Sequence, residues 1–178
     1  MDALKTIATI RSDFTTKFGI PRQSGLAAAQ LSTIVFESEY RDENALRGLD
    51  GYSHIWLIWG FSEVKAERWS PMVKPPRLGG NKRMGVFATR SPFRPNPLGL
   101  SCVQLLRTEL HTKDGPVLYV AGADLVDGTP IYDIKPYIPF ADCHPDATGG
   151  WIEDAPWQEL DVEFPQALQD MVPPAKLP

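Results

Sequence analysis

His54-Ile55-Trp56-Leu57-Ile58-Trp59-Gly60-Phe61 is the stretch on which the fold turns. It is a nearly continuous apolar run, bounded by Tyr52-Ser53 and Ser62-Glu63, and reads as a strand covered on both faces. Working outward, similar short runs lie at Thr6–Arg11, Leu31–Phe36, Gly85–Thr89, Leu100–Leu110, Val117–Ala121 and Ile131–Ile134. In the longest, Val103 and Leu105 alternate into Arg107 and Glu109, so that strand should start buried and emerge into solvent. Helical signals are sparse: a short turn at Glu43–Leu46 and an amphipathic stretch at Pro165–Met171. The chain reads as mainly β.

The 178 residues suit one domain with a short appendage, and 43% apolar with 22% charged residues is ordinary for a globular protein. No apolar run approaches the roughly 20 residues that span a bilayer. Met1-Asp2-Ala3-Leu4-Lys5 lacks the pattern of a secretory signal, so a cytoplasmic protein is expected. Cys102 and Cys143 provide no framework for disulfides or zinc. The net charge of −4 argues against indiscriminate nucleic-acid binding, but the charge is unevenly spread. Residues 65–94 carry eight Lys or Arg against Glu67, and residues 121–170 carry eleven Asp or Glu against Lys135. A basic stretch in an acidic protein suits one directed anionic partner, such as a particular RNA; internally paired loop charges are the plainer alternative.

Proline is in excess, 17 in the chain, where usage of roughly 5% is typical. Pro71, Pro75, Pro76, Pro92, Pro95, Pro97, Pro136 and Pro139 fall between strand candidates and should make stiff, extended loops able to hold a site in place. Beyond Trp151, a polar break at Glu153-Asp154-Ala155-Pro156 precedes a strand-like Leu160–Phe164 and a Pro-rich tail, 173–178. Residues 153–178 are therefore expected to be a linker and the start of a truncated C-terminal domain, after a main domain at 1–152. No Gly-x-Gly-x-x-Gly follows a strand, which excludes an ordinary Rossmann signature; no phosphate loop and no His-Glu-x-x-His occurs. His54, His111 and His144 have no ligand spacing, and no metal site is expected.

Two segments concentrate residues of chemical interest. In Gly79–Gly99, paired glycines beside Lys82 and Arg83 can present backbone N–H groups to an anion. Arg90 and Arg94 flank Ser91-Pro92-Phe93, and Asn96 sits between two prolines; an arginine fork there can clamp a carboxylate or stack on a base, or the loop can simply cap a barrel end. In Asp124–Tyr137, Asp127-Gly128-Thr129-Pro130 is a turn leading into a strand. There Ile131, Asp133 and Lys135 should share one face, and Asp133, Lys135 and Tyr137 form a possible proton-handling group, with a surface ion pair as the alternative.

Together these segments, with Lys17–Leu26 and Arg47–His54, resemble the tRNA (N6-threonylcarbamoyladenosine)-N6-methyltransferase family (TrmO / TsaA-like) across most of residues 5–150. The resemblance implies a single-domain, β-barrel-like, non-Rossmann methyltransferase with few short helices. It implies a homodimer with its S-adenosylmethionine pocket near the subunit interface. The implied reaction is methylation of N6 of threonylcarbamoyladenosine beside the anticodon of threonine tRNA. On that basis Asp133, Lys135 and Tyr137 are expected in catalysis. Arg90, Ser91, Phe93, Arg94, Asn96, Asp127 and Thr129 are expected at the cofactor, Arg90 also suiting the threonyl carboxylate. Arg22, Gln23, Lys74, Arg77, Lys82 and Arg83 are expected to meet tRNA. The competing readings are a non-catalytic RNA- or nucleotide-binding β-barrel, and an amide hydrolase using Ser91 or Cys102.

Overall fold

The protein is described from a computed structural model that covers residues 4–64, 69–154, 161 and 163–172. The chain forms two compact units, Met1–Cys143 and His144–Pro178. The first holds a closed six-stranded antiparallel barrel in the order β1-β2-β7-β6-β3-β8. Its strands are β1 (Ala8–Arg11), β2 (Leu31–Phe36), β3 (His54–Gly60), β6 (Leu98–Thr112), β7 (Gly115–Ala121) and β8 (Pro130–Pro136). A small ribbon pairs β4 (Met72–Val73) with β5 (Met84–Gly85). Closure leaves the main sheet no unpaired edge. Among the described residues no helix is long and apolar enough to cross a membrane.

β3 runs between β6 and β8, antiparallel to both. Its side chains alternate: Ile55, Leu57 and Trp59 are buried in the barrel, while Trp56 and Ile58 are only half-buried on the outer wall. The apolar run therefore does not mark a strand covered equally on both faces. A closed barrel gives each strand one inner and one outer face, and the outer apolar residues need another explanation. β6 passes Gly99, Ser101, Val103 and Leu105 inward, and its register shifts between Leu105 and Arg107, where the strand leaves the core as its alternation predicted. Gly99 is required by packing: a Cβ there would stand 2.2 Å from the Trp59 ring.

β8 corrects a second expectation. Ile58 pairs with Asp133 and Trp59 with Ile131, so Tyr132 is an extra residue in a bulge. The bulge reverses the alternation. Ile131 is buried, Ile134 packs on the core, and Asp133 and Lys135 face outward without Ile131 beside them. Gly85–Thr89 is not a strand either. Only Met84–Gly85 pairs; Val86–Ala88 form a 3-10 turn that buries Val86, and Thr89 donates Oγ1–H to the Val86 carbonyl at 2.8 Å. The Glu43–Leu46 turn is present as 3-10 helix.

Following β8 is the single-turn α1 (Pro139–Asp142). In the second unit, the stretch expected to be helical is limited to α2 (Gln166–Gln169). Of the strand expected at 160–164, Leu160 and Val162 lie outside the described residues, while Asp161, Glu163 and Phe164 are not in a strand.

Antiparallel alternation sorts the connections. Segments 12–30, 61–97 and 122–129 all leave the rim where β1, β3 and β7 end; segment 37–53, the 113–114 hairpin turn and Tyr137 leave the opposite rim. Tyr40, Leu46 and Leu49 plug the latter end against the core.

Candidate active site at the β1, β3 and β7 rim

The three connectors at this rim are stitched together through their backbones. Gly25 N–H donates to the Gly122 carbonyl at 2.8 Å, Gly122 N–H to Gln30 at 3.0 Å, and Phe61 N–H to Pro97 at 3.0 Å. Arg90, on the second connector, donates from Nη1 to Oε1 of Gln23 on the first. On the third, the Asp124 carboxylate accepts from Ser101 Oγ at 2.6 Å, and Ser101 Oγ accepts from the Trp59 indole N–H at 3.0 Å. Burial pushes the Asp124 carboxyl above the ordinary aspartate value; the Ser101 hydroxyl, nearby backbone N–H groups and the positive charge of Arg90 pull the other way. The Arg90–Gly99 and Asp124–Tyr137 segments thus meet within one subunit.

The expected cofactor residues separate by local chemistry. Arg90 is exposed, as are Phe93 and Asn96. Ser91 Oγ accepts from Phe93 N–H at 3.3 Å. Arg94 turns Nη1 onto the carbonyls of Val86 at 3.1 Å and Thr89 at 2.6 Å, so it braces the loop. Asp127 accepts from Ser12 N–H at 3.0 Å, and the side chain of Thr129 is buried at 2% exposure, in a turn that docks on the end of β1. These two secure the connector, an outcome that the Asp-Gly-Thr-Pro turn signal already contained.

Of the expected RNA residues, Gln23 is tied to Arg90, whereas Lys74, Lys82 and Arg83 are exposed and Arg22 and Arg77 half-buried to exposed. Lys65 and Arg68 of the basic run lie outside the described residues. Gly79 and Gly80 both take positive φ, 67° and 70°, which bends the chain between the Pro76–Leu78 turn and Lys82-Arg83. Sequence reasoning missed the aromatic surface here. Trp69 and Phe87 stack at 6.4 Å with 20° between rings, Arg94 lies 5.7 Å over Phe87, and Phe18 is 80% exposed. It also missed Ser101 and Asp124 as partners, because nothing in sequence shows which residues of separate strands face each other.

Asp133, Lys135 and Tyr137 are elsewhere in the subunit. Lys135 Nζ lies 2.9 Å from Asp133 Oδ2 on the outer wall, and both are open to solvent. Tyr137 follows β8 at the opposite rim, its ring 5.8 Å from Trp56 and 6.3 Å from His54. Partial burial and the adjacent Cys143 thiol push the Tyr137 phenol up, which keeps it protonated and makes it a donor rather than a base. One subunit therefore brings the ion pair together but does not bring it to Arg90.

An arginine with free N–H groups, exposed aromatic faces, a carboxylate and flanking cations form a β-barrel rim suited to a nucleoside bearing an amino-acid carboxylate, with room for a polyanion alongside. Those are the needs of S-adenosylmethionine and an RNA acceptor, and the residues present fit them. The chain belongs to the family of the tRNA-methyltransferase O N-terminal domain, whose model matches residues 9–143. It is 48% identical over 158 residues to the tRNA (adenine(37)-N6)-methyltransferase of Escherichia coli K12, covering 89% of this chain and 67% of that protein. It is 52% identical over 127 residues to the Eikenella corrodens protein of the same name, covering 71% of this chain and 68% of that one. A crystal structure of TrmO from Pseudomonas aeruginosa superposes with a TM-score of 0.70 at 39% identity, covering 89% of this chain and 65% of that chain. The chain thus spans about two thirds of the length of the relatives it matches.

Proposed function

We propose that this chain is the barrel of an S-adenosylmethionine-dependent enzyme that methylates N6 of adenine 37 in tRNA, the acceptor being threonylcarbamoyladenosine beside the anticodon of threonine tRNA. The observation that carries this reading is the convergence of Arg90, Gln23 and Asp124 from separate connectors at one rim, flanked by exposed Phe93, Phe87 and Trp69 and the cations Lys82 and Arg83. The names of the Escherichia coli and Eikenella corrodens relatives supply the base and its position. A relative in Pseudomonas aeruginosa, 43% identical over 162 residues, is named a putative S-adenosylmethionine-dependent methyltransferase, which supports the cofactor.

Bound S-adenosylmethionine supplies a methyl group already activated on a sulfonium, so placement of the acceptor nitrogen contributes much of the rate. Arg90, Ser91, Phe93 and Asn96 face the cofactor or the threonyl carboxylate; Arg94, Asp127 and Thr129 hold the loops in shape around it. Arg22, Gln23, Lys74, Arg77, Lys82 and Arg83 receive the RNA. The threonylcarbamoyl N6 lone pair is delocalised between purine and carbonyl, and removal of its proton restores nucleophilicity. Asp133 is the base, kept ionised by Lys135, and Tyr137 donates a hydrogen bond to the acceptor. Because this trio faces away from the Arg90 rim, a homodimer must set the outer wall of one subunit against the rim of the other. Trp56, Ile58 and Leu100, apolar and incompletely covered on that wall, are consistent with such a contact. We place the cofactor-binding domain at 1–152, with 153–178 leading into a further domain, and the enzyme in the cytoplasm.

Calorimetry with S-adenosylmethionine and methyl incorporation into threonine tRNA, with and without its threonylcarbamoyl group, test the proposal. Saturable cofactor binding and methylation that requires the threonylcarbamoyl group are expected. Absence of binding at millimolar cofactor returns the chain to a non-catalytic RNA-binding barrel or a hydrolase, and methylation of unmodified adenosine alone identifies a different acceptor.

A further inference from the structure

Asp124 is a largely buried carboxylate to which the methyl-transfer chemistry assigns no task. Its surroundings have a definite direction. Trp59 Nε1–H is a donor only and points at Ser101 Oγ at 3.0 Å, leaving the Ser101 hydroxyl proton for Asp124 Oδ1 at 2.6 Å. The Ser24 backbone N–H adds a bond from the first connector, and Arg90 acts on the carboxylate from the second. Arg90 donates in turn to Gln23, one residue before Ser24. Elements β3 and β6 and all three connectors of the rim therefore meet around one side chain. A charge removed from water is costly unless it is paired and hydrogen-bonded, and breaking such a pairing is costlier than replacing it with a neutral group. A Trp–Ser pair that needs only an acceptor would be served by a neutral amide; what a carboxylate adds is attraction for Arg90.

We propose that Asp124 is a positioning residue: anchored on Ser101 and Trp59, its charge holds Arg90, and through Arg90 the side chain of Gln23, in the orientation that receives the ligands. This rests on the reading of Arg90 and Gln23 given above. It makes the barrel interior part of the site, because the Trp59 indole that fills the core also orients the hydroxyl on which the carboxylate is seated.

The test compares Asp124→Asn, Arg90→Ala and the double variant in methyl transfer, thermal unfolding and amide hydrogen exchange. Asparagine keeps an oxygen for Ser101 and drops the charge. Asp124→Asn should lose about 10- to 100-fold in kcat/KM, as expected when a positioned group drifts by an ångström or less. Its melting temperature should be unchanged or higher, since a buried charge has gone. Exchange should rise at amides 22–25 and 88–94 together while the barrel strands keep their protection. In the Arg90→Ala background the same change should add no further loss. Wild-type kcat/KM with unchanged exchange in both loops overturns the proposal, as does full additivity with Arg90→Ala. A melting temperature that falls in step with activity assigns Asp124 to folding alone and overturns it too. If the wild-type chain itself transfers no methyl group, the functional reading fails, and the paired exchange of the two loops still decides whether Asp124 holds Arg90.

Discussion

At Asp124 burial and charge oppose each other, and the opposition has a measurable sign. Its folded-state pKa lies above the ordinary aspartate value of 3.8, chiefly because burial penalises the ionised form. The native state then holds that proton more tightly than the unfolded chain, so stability falls as pH rises from near 3.8 through the shifted value. The urea midpoint of Asp124→Asn relative to wild type should accordingly climb across that window and level off above it. A flat difference would mean that the carboxylate is as well solvated folded as unfolded. Exposed acids act in the other direction: Asp42, held low by the Asn44 backbone and side-chain N–H groups, adds stability that is lost on acidification. Tyr137 shows how a residue's environment can change its role. The sequence allows it to be acid or base, and the Cys143 thiol and partial burial keep it a donor.

Between strands, the constraint lies in how closely β3 and β6 approach. Gly99 leaves space for the Trp59 ring, which sits at 4.5 Å from Phe61 with the planes 62° apart. Gly99→Ala inserts a methyl group into that contact and should destabilise the barrel by about 1–3 kcal/mol, read from chemical denaturation. The displaced indole should also release Ser101, so the variant should lose methyl transfer beyond what its stability predicts. Normal activity in the folded fraction would disconnect Trp59 from the site. The 61–97 connector owes its shape to a different device. The β4–β5 ribbon, the glycine pair and Arg94 seated on the Val86 and Thr89 carbonyls substitute for a hydrophobic core of its own.

For the whole molecule, the question is how an outer-wall ion pair and a rim arginine act on one substrate. With the proposed two-fold pairing, a site takes Arg90 from one subunit and Asp133 from the other. Chains carrying Arg90→Ala and Asp133→Asn should each be nearly inactive alone. Mixed in equal amounts and allowed to exchange, half the dimers are mixed and each has one intact site, so about a quarter of wild-type activity should return. Recovery that fails despite proven exchange would place both residues in one subunit's site, or Asp133 outside it.

The apolar runs, the turn residues and the proline spacing were enough to determine a mainly β chain, since side-chain alternation and backbone restriction are local properties; most strands fall within a few residues of where those patterns place them. The ordered motifs from Lys17 to Tyr137 likewise disclosed the family. The bulge at Tyr132 was not legible, because it arises from the register of β8 against β3, and it reverses which residues face the core. Nor was the company of Asp124: Trp59, Ser101, Arg90 and Gln23 are scattered along the chain and meet only because antiparallel closure returns three connectors to one rim. Local propensity is written residue by residue, whereas a buried charge and its partners exist only once distant segments have been brought out of water together.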